Sequence, residues 1–138
     1  MLMAEFLTAV YHHLPVKVVV CNNGVLGQIL WEQMALGFPE HGVRYQGPPN
    51  FAGWAELCGG LGVRVETPGD VEGAVAEVLS SPMPALLDVV VNADEPPMPP
   101  KVKYKQAKGF AESFLKGQPR RATIASTLFR DKVDQLKR

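Results

Sequence analysis

The chain has 138 residues, 14 Lys+Arg against 14 Asp+Glu, and 46% hydrophobic residues. Those values fit one globular domain able to bury a core, and they exclude a disordered chain. The neutral total hides an asymmetry: residues 1–100 hold 3 basic and 11 acidic side chains, residues 101–138 hold 11 basic and 3 acidic ones.

Met1-Leu2-Met3-Ala4-Glu5 lacks the basic start of a secretory signal, so a cytoplasmic location is the expectation. Leu2, Phe6, Ala9, Val10 and His13 recur at three- and four-residue steps. They predict a helix over 1–13, ended by Leu14-Pro15. Val16–Cys21 is β-branched and almost wholly apolar, the pattern of a strand buried on both faces of a parallel sheet. It is far shorter than the roughly 18–20 residues of a membrane span. Cys21 at its end and Cys58 further on both read as buried thiols, and no disulfide is expected.

Asn22-Asn23-Gly24 supplies turn residues, and a helix is predicted from Gly27 or Gln28 to Leu36, stopped by Gly37. Glycines and prolines over 37–50 predict a loop. Asn50 is a fitting N-cap for a helix over Phe51–Cys58. A strand over Val63–Glu66, a helix over Val71–Leu79 capped by Asp70, and a strand over Ala85–Val91 follow. This alternation predicts an α/β fold, a parallel sheet with helices on both faces. Residues 1–95 form the expected domain. Residues 96–138 are a proline connector followed by a helical C-terminal tail, with helices over 105–116 and 124–137. The tail's charge is expected to rest on the acidic body of its own or a sister chain; a peripheral membrane contact is the alternative, and no nucleic acid is expected.

In a parallel α/β sheet, ligands sit beyond the carboxyl ends of the strands. Here a strand delivers Asn22-Asn23-Gly24 to a helix start, where free N–H groups suit phosphate and neutral oxygens suit Mg²⁺. The run Leu14-Pro-Val-Lys-Val-Val-Val-Cys-Asn-Asn-Gly-Val-Leu-Gly-Gln-Ile-Leu-Trp-Glu-Gln33 resembles the thiamine-diphosphate-dependent 2-oxo acid enzymes. The likeness is to the pyruvate oxidase, quinone-dependent pyruvate dehydrogenase and acetolactate synthase group. It continues through Phe51-Ala-Gly-Trp-Ala-Glu-Leu-Cys58, Gly62-Val-Arg-Val65, Pro84-Ala-Leu-Leu-Asp-Val-Val-Val91, Pro96-Pro-Met-Pro-Pro100 and Gln106-Ala-Lys-Gly-Phe110.

The resemblance implies the C-terminal diphosphate-binding domain of such an enzyme. It implies thiamine diphosphate and Mg²⁺ as cofactors and a 2-oxo acid as substrate, with FAD, where a parent uses it, bound outside this chain. It makes the Asn23 side chain and the Val25 carbonyl the metal ligands, with Gly24, Leu26 and Gly27 bringing backbone to the diphosphate. Asn22 would hold the turn. Glu32 would face the reacting centre as a proton-handling carboxyl, and Trp31 would pack. Asn-Asn in the family closes a motif opened by Gly-Asp-Gly. This sequence has no Gly-Asp-Gly; the triplet would fall just before Met1, so the chain reads as a fragment, inactive by itself. A homo-oligomer is expected, with Leu26, Ile29, Leu30 and Trp31 exposed for contact. The rival reading is a non-catalytic α/β module binding a phosphate or nucleotide.

Overall fold

The computed structural model describes residues 3–47, 49–95 and 104–136. The proline run at 96–100 lies outside them, as do Met1 and Leu2. The chain divides into two compact units, residues 1–23 with 48–91 and residues 24–47 with 92–138.

The first unit carries the sheet. Helix α1 (Met3–Tyr11) leads to β1 (Lys17–Asn22). Proline does not end α1; His13 does, in a left-handed conformation (φ 54°) that lets Leu14 N–H reach the Ala9 carbonyl at 2.9 Å. Helix α3 (Phe51–Leu57), β2 (Leu61–Val65), α4 (Val71–Ser80) and β3 (Ala85–Val90) complete the unit. Asn50 caps α3 as its type predicts, accepting from Gly53 N–H at 2.9 Å. Asp70 does not cap α4. A 3-10 turn over Pro68–Asp70 puts Asp70 at φ −92°, ψ −7°, away from the extended backbone an N-cap needs.

The three strands are parallel in the order β1-β3-β2. Residues alternate across a strand, and β3 shows it: Leu86 packs with Phe6 and Ala55, whereas Ala85 and Leu87 pack with Val65, Ala74 and Val78. Helices α1 and α3 cover one face of the sheet and α4 the other. The α/β parallel sheet with helices on both faces is therefore present.

One expectation fails inside it. β1 is not buried on both faces: Val19 is 61% exposed, and Cys21 is exposed. An apolar β-branched run marks a parallel strand, but its sheet order here makes β1 an edge. Cys58 is half-buried.

The second unit is helical, with α2 (Gly27–Ala35), α5 (Tyr104–Leu115) and α6 (Arg121–Leu136). Its core joins Val25, Leu30, Trp31, Met34 and Val43 to Ile124, with Phe110, Phe114 and Leu128 packed against them. Trp31 lies parallel to Phe110, ring centroids 6.4 Å apart. Leu30 and Trp31 are thus buried and do not form the exposed contact face expected of them, though Trp31 does pack, while Leu26 and Ile29 are exposed. The helices read as a tail supply the partners that cover them. Gly109 permits this approach, because a Cβ there would meet the Ala35 carbonyl oxygen.

Candidate functional site

The carboxyl end of β1 is tied down by a buried carboxylate. Asp88 on β3 is fully buried. Its Oδ1 accepts from Asn22 Nδ2 at 3.0 Å, and its Oδ2 accepts from Arg64 Nη1 at 2.7 Å and Phe51 N–H at 3.2 Å. Asn22 Nδ2 also donates to the Pro49 carbonyl at 2.9 Å. One carboxylate therefore links the ends of β1 and β3, strand β2 and the start of α3. The Arg64 guanidinium is raised above its usual pKa, chiefly by its hydrogen bond to Glu66, with burial opposing and Asp88 adding. Asn22 thus holds the turn, as its position suggested. Asp88 and Arg64 were not singled out, although a carboxylate inside the apolar run Ala85–Val91 is itself a signal, since such a group needs partners.

Asn23 follows as the last residue of the first unit and is half-buried. The second unit begins at Gly24, whose φ of +67° is the left-handed backbone a glycine adopts without strain. Residues 24–26 lie along 43–45: Val25 bridges Arg44, Leu26 N–H donates to the Val43 carbonyl at 2.8 Å, and Tyr45 N–H to the Gly24 carbonyl at 3.2 Å. This short antiparallel contact sits inside the segment predicted as loop. It buries the Val25 side chain.

Helix α2 then starts at Gly27 without a side-chain cap on Leu26. The first main-chain bond inside it runs from Leu30 N–H to the Leu26 carbonyl. An uncapped helix start presents N–H groups and positive potential to an anion. Gly24, Val25, Leu26 and Gly27 are thus consecutive in a strutted passage into α2. Glu32 lies further along α2, exposed, with Oε1 accepting from Gln28 Nε2 at 3.1 Å. Gln33 beside it braces the following loop, bonding both the N–H (3.0 Å) and the carbonyl (3.1 Å) of His41.

A second buried carboxylate anchors the helical unit. Asp94 is fully buried and takes a two-pronged contact from Arg120, the shortest prong 2.6 Å, with Arg44 Nη2 at 3.6 Å. Arg44 is raised above its ordinary pKa, first by its hydrogen bond to Glu40, with burial opposing and Asp94 adding. Arg120, a basic residue of 101–138, thus rests on an acid of the earlier sequence. Among the described residues no three His, Cys, Asp or Glu side chains converge on a metal site, and no helix is long and apolar enough to cross a membrane.

Comparison with known proteins adds the chemistry. The model of the family described as thiamine pyrophosphate enzyme, C-terminal TPP binding domain, matches residues 1–89. A putative thiamine pyrophosphate-containing protein of Bacillus subtilis (strain 168) is 39% identical over 116 residues, 84% of this chain and 20% of its own length. Chloroplastic acetolactate synthase 2 of Nicotiana tabacum is 33% identical over 105 residues, 69% of this chain and 16% of its own. The acetolactate synthase large subunit of Porphyra purpurea is 29% identical over 134 residues, 94% of this chain and 22% of its own. The chain therefore spans about a fifth of the curated relatives it matches.

Proposed function

We propose, from the premise that the chain belongs to the C-terminal TPP-binding domain family of thiamine pyrophosphate enzymes, that residues 23–27 hold the diphosphate of thiamine diphosphate with Mg²⁺. The parent activity in this proposal is decarboxylation of a pyruvate-type 2-oxo acid, by an oxidase or synthase. The observation that carries it is the start of α2 in the second unit, which has no side-chain cap and follows Gly24 at φ +67°. A helix start of that kind places main-chain N–H groups and positive potential where a dianion is favoured.

The donor set suits the cation as well. The Asn23 side-chain oxygen and the Val25 carbonyl are neutral hard oxygens, and Mg²⁺ commonly takes few protein ligands beside phosphate oxygens and water. Gly24 and Gly27 bring main chain to the diphosphate, and Leu26, its N–H held by the Val43 carbonyl, lines the approach. When bound, thiamine diphosphate supplies the electron sink for decarboxylation. The chain's own part is to bind and orient it, and in this reading Glu32, exposed on α2, is the carboxyl that exchanges protons with substrate. FAD, where a parent enzyme uses it, is bound by other segments.

In this reading the 138-residue chain alone does not decarboxylate pyruvate. It has no Gly-Asp-Gly aspartate to add a charged metal ligand. It also has no residue in the place of the activating glutamate that the family resemblance assigns to a pyrimidine-binding domain. General acid–base help of that kind contributes about 10²–10⁴-fold. The test is calorimetric titration of the chain with thiamine diphosphate, with and without Mg²⁺, beside an assay of CO₂ release. Binding that needs Mg²⁺ and weakens at least about tenfold, or about 1.4 kcal/mol, in Asn23→Ala is the expected result. Turnover above the cofactor-only background, abolished by Asn23→Ala, would overturn the expected inactivity. Binding indifferent to both Mg²⁺ and Asn23 would overturn the site.

A further inference from the structure

The strut in the second unit grips the main chain on both sides of Val25, through the Gly24 carbonyl and the Leu26 N–H. In an antiparallel pair bonded through its neighbours, the main-chain groups of the paired residues themselves turn to the opposite side. The strut therefore sets the direction of the Val25 carbonyl. Arg44, at its centre, stands between two acids. Its guanidinium holds Glu40 through Nε at 2.6 Å and Nη2 at 2.8 Å, and Nη2 is 3.6 Å from Asp94 Oδ1.

The turn between α5 and α6 decides which acid keeps Arg44. Buried Gln118 bonds Glu40 twice: its Oε1 accepts from the Glu40 N–H at 2.8 Å, and its Nε2 donates to Glu40 Oε2 at 3.0 Å. Arg120 occupies both oxygens of fully buried Asp94, with Nε at 2.9 and 2.8 Å and Nη2 at 2.6 Å. It does so from left-handed backbone, φ 57°, a conformation that side chains other than glycine rarely adopt. The turn by itself would favour glycine there; the contact with Asp94 is what calls for arginine. Without that contact Asp94 is an uncompensated buried carboxylate, and such a group draws a cation to itself. Arg44 is already beside it.

We propose that Arg120 is a positioning residue for the cofactor-binding stretch: by occupying Asp94 it leaves Arg44 on Glu40, and so keeps the strut that aims the Val25 carbonyl. Its use in cofactor binding rests on the diphosphate reading above; the coupling of Arg120 to the strut does not. All the groups involved belong to the second unit.

The experiment is amide hydrogen exchange on the 138-residue chain without ligand, followed by titration of thiamine diphosphate at a series of Mg²⁺ concentrations. In Arg120→Met the Leu26 and Tyr45 amides, the donors of the strut, exchange at least about tenfold faster, while Leu36, bonded within α2, keeps its rate. Arg120→Lys, which keeps a cation on Asp94, retains most of the protection. Arg121→Met removes the same charge from a neighbour that touches the Phe114 carbonyl, and changes nothing. The decisive variant is Asp94→Asn with Arg120→Met. It leaves no carboxylate to draw Arg44 away, so protection at Leu26 and Tyr45 returns, whereas a merely structural bridge would stay broken. In the titration, Arg120→Met raises the Mg²⁺ needed for half-saturation at least about tenfold, and the double variant restores it. Strut amides indifferent to Arg120→Met, a double variant as fast as the single one, or acceleration spread equally to Leu36 would overturn the coupling. Strut amides that respond as expected in a chain that binds no thiamine diphosphate would overturn the diphosphate reading, and with it the use of Arg120 in cofactor binding.

Discussion

Replacing Asp88 with alanine removes the one carboxylate that gathers Asn22, Arg64 and Phe51. Removing one partner from a fully buried ion pair costs about 3–5 kcal/mol. Two features lower that figure here. The Arg64 side chain is 26% exposed and keeps Glu66 at 2.8 Å, and Asn22 keeps the Pro49 carbonyl. The Phe51 N–H and the vacated space have no such compensation, so the expected loss is about 2–3 kcal/mol, a large part of a typical domain stability of about 5–15 kcal/mol. The two tryptophans allow a local readout, because Trp54 belongs to the first unit, 5.3 Å from the Phe6 ring, and Trp31 to the second. In a Trp31→Phe background, urea unfolding followed by Trp54 fluorescence reports the sheet unit. With a slope of about 2 kcal/mol per molar urea, the midpoint should fall by about 1–1.5 M. Asp88→Asn should lose nearly as much, since its amide directs a donor at donors. A midpoint shift below about 0.3 M at unchanged slope would refute the anchoring role of Asp88.

Asn50→Ala should cost about 1 kcal/mol in the same Trp54-detected transition, and Asn50→Gly only a few tenths, as for other N-caps. Gly109→Ala drives a methyl group into the Ala35 carbonyl oxygen and should cost about 1–3 kcal/mol. That loss should appear in Trp31 fluorescence, in a Trp54→Phe background, because Trp31 shares the core that α5 closes.

The elements legible from sequence are those whose cause is local. The β-branched run before Asn22 is a strand wherever it lies, and the Asn50 cap depends on its own helix start. β1's place at the sheet edge depends on which strands hydrogen-bond to which, so the exposure of Val19 and Cys21 could not be read from periodicity. Asp70 failed as a cap because a 3-10 turn before it changed its backbone. Leu30 and Trp31 were expected on the surface because their cover, Phe110 and Ile124, comes from segments that read as a basic tail. The turn at Asn22 was legible, but its partner Asp88 lies on another strand and announced itself only as a lone carboxylate among apolar residues. At residues 23–27 the pattern of strand, Asn-Asn-Gly and helix was visible. The strut from residues 43–45 was not, because glycines and prolines around it argued for loop.

A heteronuclear titration of the ¹⁵N-labelled chain with thiamine diphosphate and Mg²⁺ tests the diphosphate site most directly. Binding at the helix start should move the backbone amides of Gly27 and Gln28 and the side-chain amide of Asn23 first and furthest, with a smaller shift at Leu26, whose N–H is held by the Val43 carbonyl. The Asn22 side-chain amide, held by Asp88, should move less. Shifts centred on β1 or on the Asp94–Arg120 anchor, or no shift at a large excess of both ligands, would contradict the proposed site.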